Sequence, residues 1–73
     1  AFHPAFLVIA AGFDLVQGDP SATTGGFRVT VDGLEQVSRR LVGLGLPTVI
    51  VQEGGYQIDR LGEMALRFLR PFA

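Results

Sequence analysis

The stretch Ala5-Phe6-Leu7-Val8-Ile9-Ala10-Ala11 is apolar without a break and stops at Gly12. A strand with one wet face alternates apolar and polar side chains, whereas an unbroken run is the pattern of a strand covered on both faces, as in a parallel sheet. A short buried helix is the competing reading, but the length of the run and its glycine stop favour the strand. Thr48-Val49-Ile50-Val51 repeats the signal in a shorter, β-branched form. Between the runs, Thr30 is placed to cap a helix with Asp32 in its first turn. Leu34, Val37, Leu41 and Leu44 then follow at spacings of 3, 4 and 3, which is one helical face, with Glu35, Arg39 and Arg40 off it. Gly45 suits the end of that helix, and Pro47 prevents its continuation. After a tight Glu53-Gly54-Gly55-Tyr56 connection, Ile58, Leu61, Ala65, Phe68 and Leu69 form a second helical face that Pro71 ends. Glu63 and Arg67 are spaced for an i,i+4 ion pair on it. The phenylalanines at 6, 13, 27, 68 and 72 are assigned mostly to the core.

Strand, helix, strand, helix makes this an α/β chain, and two strands joined through a helix are expected to be parallel with a right-handed crossover. A domain of 73 residues buries only about 60% of the surface its unfolded chain exposes. Small domains usually compensate with a disulfide, a metal or a partner. With no cysteine and one histidine, disulfides, cysteine zinc knuckles and a zinc site built mainly from imidazoles are excluded within these residues. Six basic side chains, all arginine, stand against seven acidic ones, for a net charge of −1. That balance carries no nucleic-acid footprint, and no apolar run approaches the roughly 20 residues of a membrane span. Two strands covered on both faces need neighbours that one β-α-β-α unit does not supply, and the sequence begins with Ala1 rather than Met. Residues 1–73 are therefore expected to be an incomplete part of one domain, or half of an obligate assembly. In the absence of a targeting segment the expected location is the cytoplasm.

Parallel α/β sheets bind ligands at the carboxyl ends of their strands. Two loops lie there. The first, from Gly12 to Gly26, is rich in turn residues and longer than most connections in compact domains. It carries Asp14 and Asp19, and the second carries Glu53 and Tyr56 around Gly54-Gly55. If the strands are neighbours, a carboxylate and a phenol share one mouth, where the first can bind a metal or act as a base and the second can donate to a developing oxyanion. Blander readings stand beside these: a turn residue for Asp14, a packed aromatic for Tyr56, backbone satisfaction for Glu53, a surface position for His3. A phosphate cradle at Gly54-Gly55 lacks both a following lysine and a GxGxxG pattern.

Phe6-Leu7-Val8-Ile9-Ala10-Ala11-Gly12-Phe13-Asp14 with Gly18-Asp19-Pro20 resembles the "SAGFD…GDP" segment of the zinc-dependent histone deacetylase and acetylpolyamine amidohydrolase family. Phe27-Arg28-Val29-Thr30 resembles that family's approach to its next helix, and Val49-Ile50-Val51-Gln52-Glu53-Gly54-Gly55-Tyr56 resembles its "VLEGGY" segment. The resemblance runs along essentially the whole chain and covers the C-terminal part of the family's catalytic domain. It implies an arginase/deacetylase-like fold with a central parallel sheet. It implies Asp14 as a ligand of one catalytic Zn2+, Tyr56 as the catalytic residue that stabilises the oxyanion, and Gly54 and Gly55 as pocket backbone. Asp19 and Pro20 match a loop element read as structural. The implied substrate is a small acetylated amine or acetyl-lysine, with no nucleic acid or membrane as partner.

The family's Asp-x-His zinc ligands and its adjacent histidines are absent from these residues, and Gln57 stands where many relatives have Asn. Ser21–Gly26 is a few residues longer than in close relatives. The missing groups are expected from the remainder of the catalytic domain or from another chain, and residues 1–73 alone are expected to be inactive. An inactive truncated relative acting as an interaction module is the alternative, and a small phosphate or nucleotide binder comes third.

Overall fold

The computed structural model describes residues 3–20 and 27–73. Strand β1 (Leu7–Ala11) leads through a 3₁₀ turn (Phe13–Leu15) to helix α1 (Val31–Val42). Strand β2 (Thr48–Gln52), a second 3₁₀ turn (Ile58–Arg60), helix α2 (Leu61–Leu69) and a closing 3₁₀ turn (Arg70–Phe72) follow. The two strands pair directly and in parallel, with Leu7 opposite Thr48 and Ala11 opposite Gln52. The strand-helix-strand-helix order and the parallel pairing are as the sequence implies, although β1 starts at Leu7 rather than Ala5.

Thr30 caps α1, its hydroxyl accepting from the Gly33 N–H at 2.9 Å. The helix ends at Val42, before the expected Gly45, so Leu44 lies beyond it and is exposed, as is Val37. The core is Ala11, Phe13, Val16, Leu34, Met64 and Phe68, with Ile9, Ile50, Leu61, Ala65 and Phe72 packed on it. Phe13 and Phe68 meet edge to face, their centroids 5.8 Å apart. Phe6 and Phe27 are exposed, so the assignment of phenylalanines to the core fails for them; Ile58 and Leu69 of the expected second apolar face are exposed too. Met64, one of the most deeply buried side chains, fills the centre of the α2 contact instead.

The strands are not covered on both faces. Alternate residues Ile9, Ala11 and Ile50 turn toward the helices. On the other face Val8, Val49 and Val51 are 59%, 55% and 48% exposed, with Val8 directly opposite Val49. Within the described residues the unbroken apolar run is thus half used.

The helices are joined by ionic contacts that sequence spacing misassigns. Arg67 does not pair with Glu63, which lies 3.7 Å from Arg60. Arg67 crosses to α1, where it pairs with Asp32 and donates to Glu35 at 2.6 Å. Glu35 also accepts from Arg39 at 2.8 Å and from Arg70 at 2.6 Å. It is 7% exposed. The hydrogen bonds from Arg67, and then from Arg39 and Arg70, outweigh its desolvation and hold its carboxyl down at about 2. The same contacts, with Asp32 first, raise the pKa of Arg67. Buried Ser38 adds a neutral tie, donating to the Phe68 carbonyl at 2.5 Å.

Candidate active site at the carboxyl ends of the strands

Parallel pairing sends both post-strand loops out at the same end of the sheet. The pairing continues beyond the strands, with the Glu53 N–H donating to the Ala11 carbonyl at 2.9 Å and the Phe13 N–H to the Gly54 carbonyl at 2.8 Å. The first loop thus begins as a tightened turn held against the second. Buried Phe13 anchors that turn in the core, and Asp14 stands exposed beside it.

The Asp14 carboxylate occupies a notch that only glycines leave open. A Cβ on Gly54 would lie 3.0 Å from Asp14 Cγ and 3.1 Å from Oδ1, and one on Gly12 would lie 2.8 Å from Oδ1. Gly55 meets a different constraint. Its φ is +144°, a conformation that residues with a Cβ rarely adopt, and a Cβ there would press on Leu61 and Phe13 at 3.1 and 3.2 Å. The two glycines therefore let the second loop pass close beneath the Asp14 carboxylate and then turn out toward Tyr56.

Tyr56 is 55% exposed, so it is not the packed aromatic of the blander reading. Its main chain is fixed, the N–H donating to Asp19 Oδ2 at 2.9 Å. Gln52 supports the same loop, its amide donating to the Glu53 carbonyl at 2.7 Å and to the Gly54 carbonyl at 3.2 Å. Glu53 and His3 lie exposed. Asp19 is read from sequence as a structural loop residue, but its partner is not, and Gln52 is not singled out at all: a glutamine ending a strand and an aspartate in a turn are common, and only the folded loops reveal what they bind. A phosphate cradle at Gly54-Gly55 is opposed by this geometry. The Asp14 carboxylate sits against Gly54, and the Tyr56 N–H is already given to a carboxyl oxygen.

Among the described residues no group of three His, Cys, Asp or Glu side chains could hold a metal ion. The Asp14 carboxylate is one donor at the mouth, and an aspartate oxygen is an ordinary zinc ligand. A polar cleft of about 490 Å³ lies aside from this mouth, between Gln17, Thr30, Asp32, Gln57, Arg60 and Arg67. Ser21–Gly26, the stretch read as longer than in relatives, lies outside the described residues.

The family model for the histone deacetylase domain matches residues 1–71. The chain belongs to the histone deacetylase family. Within this family it is 42% identical over 71 residues to the acetylpolyamine amidohydrolase of Burkholderia pseudomallei (strain 1710b), covering 97% of this chain and 20% of that protein. It is 32% identical over 71 residues to acetylpolyamine amidohydrolase 1 of Pseudomonas aeruginosa, with the same 97% and 20% coverage. The crystal structure of acetylpolyamine aminohydrolase from Burkholderia pseudomallei matches the fold with a TM-score of 0.85 at 42% identity, covering 94% of this chain and 19% of that one. The α/β unit is thus a part of the arginase/deacetylase-like fold. The chain spans about 20% of the length of these two amidohydrolases.

Proposed function

We propose that residues 1–73 act as the C-terminal segment of the catalytic domain of a zinc-dependent amidohydrolase that removes acetyl groups from amines. The reading is carried by one observation: in a chain of this family, the Asp14 carboxylate is seated in the Gly12/Gly54 notch at the carboxyl ends of the strands. Asp14 fits as one of about three protein ligands of a catalytic zinc. The others come from residues beyond this chain. A zinc held there would supply Lewis-acid polarisation of the amide carbonyl and a water acidified to a pKa of about 7.

The chain's own residues then divide the work. Asp14 would be the ligand this segment gives to the metal. Gly54 and Gly55 keep the backbone low enough to leave room beside it. Tyr56 donates its phenolic proton as a hydrogen bond to the substrate oxygen, which gains negative charge as water adds to the carbonyl carbon. A proton from the added water passes to the amide nitrogen as the C–N bond breaks, giving acetate and a free amine. The names of the two bacterial relatives support an acetylated polyamine over acetyl-lysine in a protein. Catalysis in the cytoplasm belongs to the same proposal.

The test is Tyr56→Phe in the full-length protein that carries these residues, assayed on an N-acetylated diamine and an acetyl-lysine peptide. Loss of one oxyanion donor typically costs about 10²–10³ in rate, so turnover should fall by that factor while zinc stays bound. Unchanged turnover would remove Tyr56 from the chemistry.

A further inference from the structure

We propose that Asp19 is a positioning residue for Tyr56, acting on the reaction through that tyrosine's main chain; this rests on the role for Tyr56 given above. Asp19 is 5% exposed in a chain whose other aspartates, Asp14, Asp32 and Asp59, are exposed. Burying a carboxyl group is costly unless its oxygens are satisfied. One of them, Oδ2, accepts the N–H of Tyr56 at 2.9 Å across a separation of 37 residues.

The contact is part of a clasp. Gly18 has φ +92°, and the turn it makes is closed by the Asp19 N–H donating to the Val16 carbonyl at 3.2 Å. Val16, which is buried, pairs with Val29, and the Gln17 N–H donates to the Val29 carbonyl at 2.8 Å. The turn is therefore fixed to the core before it meets the second loop. It then grips two successive residues of that loop. Asp19 takes the Tyr56 N–H, and the Gln17 carbonyl accepts from the Gln57 amide at 3.2 Å. A Cβ on Gly18 would lie 3.3 Å from Gln57 Oε1, so the two segments are in contact along the clasp.

A phenol on an exposed loop is useful only if its oxygen is held where charge develops, since hydrogen-bond donors that are already oriented pay no reorganisation during the reaction. The φ of Gly55 leaves the backbone just before Tyr56 free of the usual side-chain restriction. An external anchor is needed at Tyr56 itself, and Asp19 is the buried group that reaches it. The first loop thus carries two carboxyl groups with separate tasks. Asp14 is the proposed metal ligand, and Asp19 holds the main chain of Tyr56.

The experiment is a double-mutant cycle in the full-length zinc-loaded protein, with Asp19→Ala, Asp19→Asn, Tyr56→Phe and the Asp19→Ala/Tyr56→Phe pair, assayed on an N-acetylated diamine with zinc content measured alongside. Misplacement of a catalytic group by about 1 Å can cost about 10²-fold. Asp19→Ala should accordingly lower kcat by roughly 10- to 100-fold with KM little changed and zinc retained. Asp19→Asn, whose side-chain oxygen can still accept the Tyr56 N–H, should recover most of that loss. In the Tyr56→Phe background Asp19→Ala should cost less than about threefold, because groups that act as a unit are non-additive. Full additivity, failure of Asn to rescue, or loss of zinc with Asp19→Ala would each overturn the proposal and assign Asp19 to general support of the fold. A Tyr56→Phe variant as active as wild type would overturn it differently, by removing the tyrosine's role while leaving the clasp intact.

Discussion

Gly54 shows how narrowly the candidate site is drawn at the level of single residues. Its missing side chain is the space in which the Asp14 carboxylate sits, with Cγ 3.0 Å from where a Cβ would be. Gly54→Ala must therefore push Asp14 aside by a few tenths of an ångström. Metal-ligand distances tolerate only about 0.2 Å. Zinc affinity in the full-length protein should fall by roughly 10–100-fold, the range for groups that orient a metal ligand. Competition against a chromophoric chelator reads this directly, and unchanged affinity would mean that Asp14 does not depend on the notch. Asp14, Gly54, Gly55 and Tyr56 can be proposed from the sequence because each stands at a fixed place in an ordered motif next to an apolar strand, and the fold brings their two loops together at one end of the sheet. The Asp19–Tyr56 contact was not, because nothing local distinguishes an aspartate that fits its own turn from one that reaches 37 residues along the chain.

At the level of elements, apolar spacing located both helices and both strands, while the charged contacts between helices escaped it. Glu35 lies off the apolar stripe of α1, yet it is buried under Arg39, Arg67 and Arg70. Two of those partners come from beyond β2, so the i,i+4 spacing that suggested Glu63–Arg67 could not anticipate them. Glu35 has a pH signature. Its folded pKa, about 2, lies below its ordinary value of 4.5. The contribution of its ionised form to stability is therefore fully present above about 4.5 and disappears as pH falls toward 2. The gap in denaturation midpoint between the full-length protein and its Glu35→Gln variant should be constant near neutrality and narrow across that acid window. A gap independent of pH would contradict the ionic account. Thr30→Ala, which removes the cap of α1, should cost about 1 kcal/mol of stability in urea unfolding, and an unaltered midpoint would mean that the cap contributes nothing.

At the level of the whole molecule, the sheet face left open among the described residues fits the proposal that residues 1–73 are one part of a longer catalytic domain. Val8, Val49 and Val51 form an exposed apolar strip on the face away from the helices. An unbroken apolar strand is costly to leave uncovered, and relatives about five times as long have ample chain to cover it. The sequence expressed this as a strand apolar on every residue, but periodicity cannot say what lies against the second face. Residues 1–73 expressed alone should neither hydrolyse acetylated amines nor hold zinc tightly. Tight zinc binding by the isolated segment would require ligands that its described residues do not assemble. The most direct test of the central claim is the zinc content of the full-length protein beside its Asp14→Ala variant, measured by elemental analysis after dialysis. Stoichiometric zinc in the wild type, lost in the variant together with deacetylation, is the expected result. Stoichiometric zinc retained without the Asp14 carboxylate would contradict it.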